Sequence, residues 1–192
     1  MKKYWIAFSI VVVLSFIVLS WVGVKIYQQK PPIPEKVITQ SGELVFTKAD
    51  IQDGQNIWQA MGGMESGSVW GHGSYVAPDW TADWLHRELV TVLDIWSAQN
   101  YGSKFNKLTP EQQSSLKAKL KEIYKTNTYD NQKVEIKIAD VRFEAIKENI
   151  KHFSNIFTNG KDEYAIPKNT LSDPEKLRKL NAFFFWSAWA AS

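Results

Sequence analysis

Metal or acid–base chemistry in this chain has to come from histidines and carboxylates, because the sequence contains no cysteine. That absence removes disulfides, zinc–thiolate sites, iron–sulfur clusters and thioether-linked haem together. It leaves the redox compartment open, since a cysteine-free domain survives on either side of a membrane. The three histidines, His72, His86 and His152, are scattered and share no short ligand spacing such as i, i+3 or i, i+4. His72 between two glycines reads as a turn residue, and His86 beside Arg87 as a hydrogen-bonding residue on a helix. Glu65, Asp79, Asp83 and Glu88 form a loose acidic set. Helix starts attract such residues for dipole reasons alone, and that is how they read here.

Most of these residues fall in one stretch, 54–88, which holds four of the nine tryptophans and six of the ten glycines. Glycine admits positive φ and close backbone approach, and tryptophan brings a large packing surface. The mixture predicts a compact, partly buried loop between two helices.

The elements around it follow from capping and periodicity. Residues 4–24 form a 21-residue stretch without a charge, long enough as a helix to cross the roughly 30 Å hydrocarbon core. Lysines flank it, and Tyr4, Trp5, Trp21 and Tyr27 sit near its ends, where aromatic rings prefer the interface. A cleaved signal peptide would have a shorter apolar region and a small-residue exit; SWVGVKIYQQ has neither, so 1–28 reads as an uncleaved anchor. Residues 29–35 form a stiff proline-rich spacer. Residues 36–47 suggest a hairpin turning at Ser41-Gly42. Thr47, with Asp50 three residues on, caps a helix over 48–61 that stops at Gly62-Gly63. A second helix starts near Thr81 and ends at Gly102, with Leu85, Leu89, Val92, Leu93 and Trp96 on one face. Thr109-Pro110-Glu111-Gln112 opens a third, burying Leu116, Leu120, Ile123 and Tyr124. Residues 133–138 are either a short strand or an extended linker. Ile146, Ile150, Phe153 and Phe157 mark a fourth helix, stopped near Gly160. Ser172-Asp173-Pro174-Glu175 reads as a capping box for a last one, which turns wholly apolar at Ala182. Its aromatics cover every side, which suits lipid better than one core face. Residues 172–192 are therefore expected to be the start of a second, truncated transmembrane helix.

Charge narrows the partners. With the four lysines of the first 34 residues set aside, 19 basic and 20 acidic residues remain. The basic balance thus belongs to the membrane flank, whose apolar stretch implies membrane lipid as a partner, and the near-neutral remainder argues against nucleic acid. Lysines before and after the apolar stretch nearly balance; with its short N-terminal tail kept in the cytoplasm, the bulk of the chain is expected outside.

The segment WQAMGGMESGSVWGHGSYVAPDWTADWLHRE, with NAFFFWSAWAAS near the end, resembles the N-terminal part of quinol-dependent nitric oxide reductases, single-chain relatives of the haem-copper oxidases. The resemblance covers essentially the whole chain. It implies a mainly α fold: an N-terminal transmembrane helix, then a cytochrome c-like helical domain without haem over 36–171, then the start of a second membrane helix. The related small subunits carry C-x-x-C-H followed by T-x-x-G-E-G-x-Y-Y-A-P. Here Gly71-His72-Gly73-Ser74-Tyr75-Val76-Ala77-Pro78 is similar to the second part, and Gly63-Met64-Glu65-Ser66-Gly67 falls over the first, without cysteines or histidine. Because an apolar void is costly, Met61, Met64, Trp58, Trp70, Trp80 and Trp84 are expected to fill the space of the lost haem.

The resemblance further implies a non-catalytic region that packs on the outer face of catalytic membrane helices, in the same or a separate chain, in a bacterial cytoplasmic membrane with the bulk of the chain periplasmic. The family joins two NO molecules to give N₂O and water, in denitrification or NO detoxification. Haem b, non-haem iron and calcium are expected only in the complete enzyme, none in this chain, which alone is expected to be inactive. Backbone carbonyls of Gly73 and Tyr75 match positions that help bind the calcium; the alternative is a glycine-rich turn with a packed tyrosine. The alternative function is a free-standing membrane-anchored binding or interaction module derived from the same domain. A reading frame running past Ser192 into apolar helices would favour the first reading, and a stop codon there the second.

Overall fold

The computed structural model describes residues 2–71 and 76–192. It divides into two compact units, Met1–Pro32 and Ile33–Ser192. The first is a helix, α1 (Lys2–Gln29), with no side chain buried by protein. It is the one helix among the described residues long and apolar enough to cross a membrane. A helix apolar on all sides needs apolar surroundings on all sides, and α1 has the length and composition that an anchor needs.

The second unit is mainly helical, with a small mixed sheet. β1 (Lys36–Thr39) and β2 (Leu44–Thr47) form the expected antiparallel hairpin, with Val37 opposite Phe46. Gly42 takes φ +94° in the turn, and Asp140 pins the tip by accepting from Ser41 N at 3.1 Å and Ser41 Oγ at 2.9 Å. Of the two readings of 133–138, the strand is correct: β4 (Glu135–Ile138) pairs with β3 (Tyr129–Asp130) and lies parallel to β1, giving the order β2-β1-β4-β3. α2 (Lys48–Ala60) begins with the expected capping box of Thr47 and Asp50. α3 (Trp80–Tyr101) ends at left-handed Gly102, α4 (Pro110–Lys125) begins with the Thr109–Gln112 box, and α5 (Asp140–Asn159) stops at Gly160. α6 (Pro174–Trp189) is capped by Asp173, whose carboxylate accepts from Glu175 N and Lys176 N. Asp173 rather than Ser172 is therefore the cap, which puts Pro174 at the first helical position, where its missing N–H costs nothing.

The apolar run of α6 is covered by protein. Leu177, Leu180 and 182–186 are all buried. Successive residues on a helix point about 100° apart, and each aromatic of α6 finds a different element. Phe183 packs on Trp58 of α2, Phe184 on Trp80 of α3 and on Phe153 and Phe157 of α5, Phe185 on Phe46 of β2, and Trp186 on Trp70. Aromatics on every side suggested lipid; within this unit they face the core. Residues 172–192 belong to the same compact unit as the rest of 33–192. α2 comes close enough because Gly54 has no side chain: a Cβ there would sit 1.9 Å from the Lys179 carbonyl oxygen. A second, smaller cluster joins Val92, Leu93 and Trp96 of α3 to Leu116 and Leu120 of α4.

Candidate functional site

The glycine-rich segment is shorter than its composition suggests. Gly54 and Trp58 lie in α2, and 80–88 lie in α3, leaving 61–79 as the connection. It starts with a single 3₁₀ turn, Gly63–Ser66, whose Ser66 hydroxyl is 3.2 Å from the carbonyls of Met61 and Gly63. Gly67 follows at φ +115°, under the Trp80 ring; a Cβ there would sit 2.0 Å from the indole nitrogen. Trp80 Nε1 donates to Ser66 O at 3.0 Å, and Trp80 N donates to Ser68 O at 2.8 Å. Asp79 ties the two ends of the loop together. One oxygen caps α3 by accepting from Ala82 N at 2.8 Å; the other accepts from Ser68 Oγ at 2.8 Å and from Gly71 N. Trp70 adds a bond from its Nε1 to Ser187 O at 2.9 Å. The loop is therefore held on α3 and α6 on both sides of 72–75. His72, Gly73 and Tyr75, and with them the two carbonyls expected to meet calcium, lie outside the described residues.

The four carboxylates of the acidic set have separate roles. Asp79 is the loop latch, and Asp83 pairs with Arg87 one turn on at 3.0 Å. Glu65 lies in the 3₁₀ turn. Glu88 is fully buried: Oε1 accepts from Arg142 Nε at 2.7 Å and Tyr124 OH at 2.8 Å, while Oε2 accepts from Trp84 Nε1 at 3.1 Å. Burial opposes charge on Arg142, but Glu88 beside it keeps its pKa above the usual guanidinium value. Burial, then the Glu88 charge, pushes the Tyr124 hydroxyl far up, so it stays a donor. This is a fully partnered polar node, which fixes where α3, α4 and α5 meet. Arg142 was not foreseen from the sequence. The available signal was Glu88 itself, four residues from both Trp84 and Val92 on an apolar face, where a carboxylate needs a partner.

His86 and His152 do come together, lining a groove of about 330 Å³ between α3 and α5 with Arg87 and Glu148. His152 Nε2 is buried and makes no hydrogen bond. Burial, then the Arg87 charge, holds its pKa below the usual value, so it is neutral at pH 7. Among the described residues no group of three or more histidines and carboxylates could hold a metal ion.

The expectation that Met61, Met64, Trp58, Trp70, Trp80 and Trp84 fill the space of a lost haem is not met. Trp58, Trp80 and Trp84 are buried in the core, while Trp70 is 45% exposed. Met61 and Met64 line an open cleft of about 620 Å³, with Val76, Phe157, Tyr164 and Ile166. Trp58 and Trp80 pack on Phe183 and Phe184 of α6, and Met61 packs on the edge of the same core. With no cysteine in the chain, thioether attachment of haem does not fit this place.

Residues 34–192 match the family model of the NorB cytochrome c-like domain of nitric oxide reductase. Comparison with the curated proteins gave no match.

Proposed function

The chain belongs to the NorB cytochrome c-like domain family of nitric oxide reductases over residues 34–192, and from that premise we propose that it is the non-catalytic outer region of a quinol-dependent nitric oxide reductase. In this reading α1 anchors the chain in a bacterial cytoplasmic membrane, and residues 33–192 lie on the periplasmic side and pack against the catalytic membrane helices, supplied by the same or a separate chain. The domain binds no haem. The observation that carries the reading is a cytochrome c-like family match across a sequence without a single cysteine. The complete enzyme serves NO removal, in respiration or detoxification. The proposal for 172–192 as the opening of a second membrane helix belongs here too; since 180–188 are all buried within the domain, lipid contact of the apolar run begins beyond Ala188.

The role of this chain's own residues is presentation. The Asp79 latch and the Trp70 bond to Ser187 O fasten the residues that flank 72–75. Carbonyls of Gly73 and Tyr75 serve there as calcium ligands, completed by groups of the catalytic part, since calcium wants six to eight oxygens. Calcium bound there supplies charge neutralisation and a bridge between the two parts.

Two measurements test this. The purified chain, washed and assayed with a quinol, shows no Soret band at stoichiometric haem and no NO consumption; either signal overturns the reading. In a complete enzyme, Gly73→Pro lowers calcium content and NO turnover together while the outer domain keeps its melting temperature. Unchanged calcium and turnover would remove the ligand role and leave the rest standing.

A further inference from the structure

The cleft beside the 3₁₀ turn is not accounted for by the proposed function, which needs nothing bound there. Its volume, about 620 Å³, falls in the range of roughly 300–1,000 Å³ usual for small-molecule sites. The lining is mostly apolar, with Met61, Met64, Val76 and Tyr164 in front of the buried Phe157 and Ile166, and its polar members are Glu65, Ser66 and Thr170. The described lining holds the Glu65 carboxylate and no lysine, arginine or histidine, so it disfavours an anion. Methionine adapts its shape to irregular apolar guests.

The walls are built rather than collapsed. Phe157 is fully buried, and the Tyr164 ring meets Trp80 edge-on at 6.2 Å. The far wall is fastened by Lys161 N to Ile166 O at 2.8 Å, Asn169 N to Thr158 O at 2.8 Å and Leu171 N to Phe157 O at 3.1 Å. The near wall is fastened by the Ser66 and Trp80 bonds described above. A preformed apolar cleft gains by excluding water from its lining, and it loses little order when a guest enters. We infer that this cleft is a binding site for an apolar small molecule of drug-like size without negative charge, entering past Met64 and Val76.

The absence of cysteine makes a direct test available. Met64→Cys places a unique thiol at the mouth, and Leu44→Cys, on β2 and 56% exposed in the parent residue, serves as the control. The full chain in detergent micelles is alkylated with iodoacetamide, with and without N-phenyl-1-naphthylamine, an uncharged aromatic probe. With the probe at roughly ten times its Kd, occupancy slows the Met64→Cys reaction about tenfold and leaves the Leu44→Cys rate unchanged. Adding Val76→Trp to Met64→Cys narrows the mouth and abolishes the protection without changing the melting temperature. Val76→Cys repeats the measurement from the other side of the mouth, in case Met64 is itself needed for binding. Equal rates with and without probe at both positions would overturn the inference. So would thiols that are already unreactive without probe, because the chain itself would then close the cleft.

Discussion

α1 and the second half of α6, from Ala182 on, look alike in composition, since both carry aromatic and aliphatic side chains on every side. No side chain of α1 is buried by protein. In α6, residues 182–188 are all buried within the domain. An all-round apolar helix states what its surroundings must be, not whether lipid or protein supplies them. Two features distinguish α6. It carries buried polar groups with partners close at hand, such as Asn181 Nδ2 donating to Leu177 O at 2.7 Å and Ser187 Oγ donating to Phe184 O at 2.9 Å. It also has a glycine-bearing helix shaped to receive it.

The largest test of this contrast is a matched pair of glycines. Gly54→Val pushes side-chain atoms into the Lys179 carbonyl, whereas Gly23 of α1 has nothing within 4 Å. Gly54→Val is expected to cost ~3 kcal/mol or more, enough to leave no cooperative melt of the domain in full-length protein by near-ultraviolet circular dichroism. Gly23→Val is expected to melt like the parent, and a parent-like melt for Gly54→Val would erase the contrast. Phe184→Ala against Phe16→Ala comes next. The first empties the centre of the aromatic core and costs about 3–5 kcal/mol in chemical denaturation; the second leaves domain stability unchanged.

Glu88→Gln sharpens the contrast from the polar side. It keeps the shape but leaves Arg142 charged and buried, at a cost of about 3 kcal/mol. A further Arg142→Met is expected to recover part of that loss, and a double variant as unstable as the sum of the two singles would show that the pair is not coupled. The smallest effect concerns Asp50, which caps α2 and pairs with Arg178 of α6. Burial opposes its ionisation, but Arg178 and Thr47 outweigh it and hold its pKa below the usual carboxylate value. Its stabilisation is therefore complete above the unfolded-chain pKa of about 4 and is lost as pH falls through the lower folded value. Asp50→Asn is expected to cost about 1 kcal/mol at pH 7 and to flatten part of the acid limb of the melting curve. An acid limb identical to the parent's would exclude Asp50 from it.

Local features were legible from the chain alone. The caps at Thr47 and Thr109, the stops at Gly102 and Gly160 and the turn at Gly42 depend on contacts three or four residues apart, so a short window contains both partners. The 21-residue uncharged stretch within α1 is of the same kind, because the length of a helix needs no partner to be read. The family resemblance was legible too, since 71–78 and the tryptophan-rich flanks are contiguous in the chain.

The remainder was settled by packing, because there the partners come from distant segments. β1 pairs with β4 across most of the domain's length, and no local pattern in either strand names the other. Glu88 announces a need for a cation, but Arg142 satisfies it only once α3 and α5 are packed. The aromatics of α6 suggested lipid because a helix apolar on every side has no preferred face of its own; the choice of surroundings lay with α2, α3, α5 and the sheet. The cleft at Met61 and Met64 was equally illegible, because its other wall, with Phe157, Tyr164 and Ile166, comes from a segment about a hundred residues away.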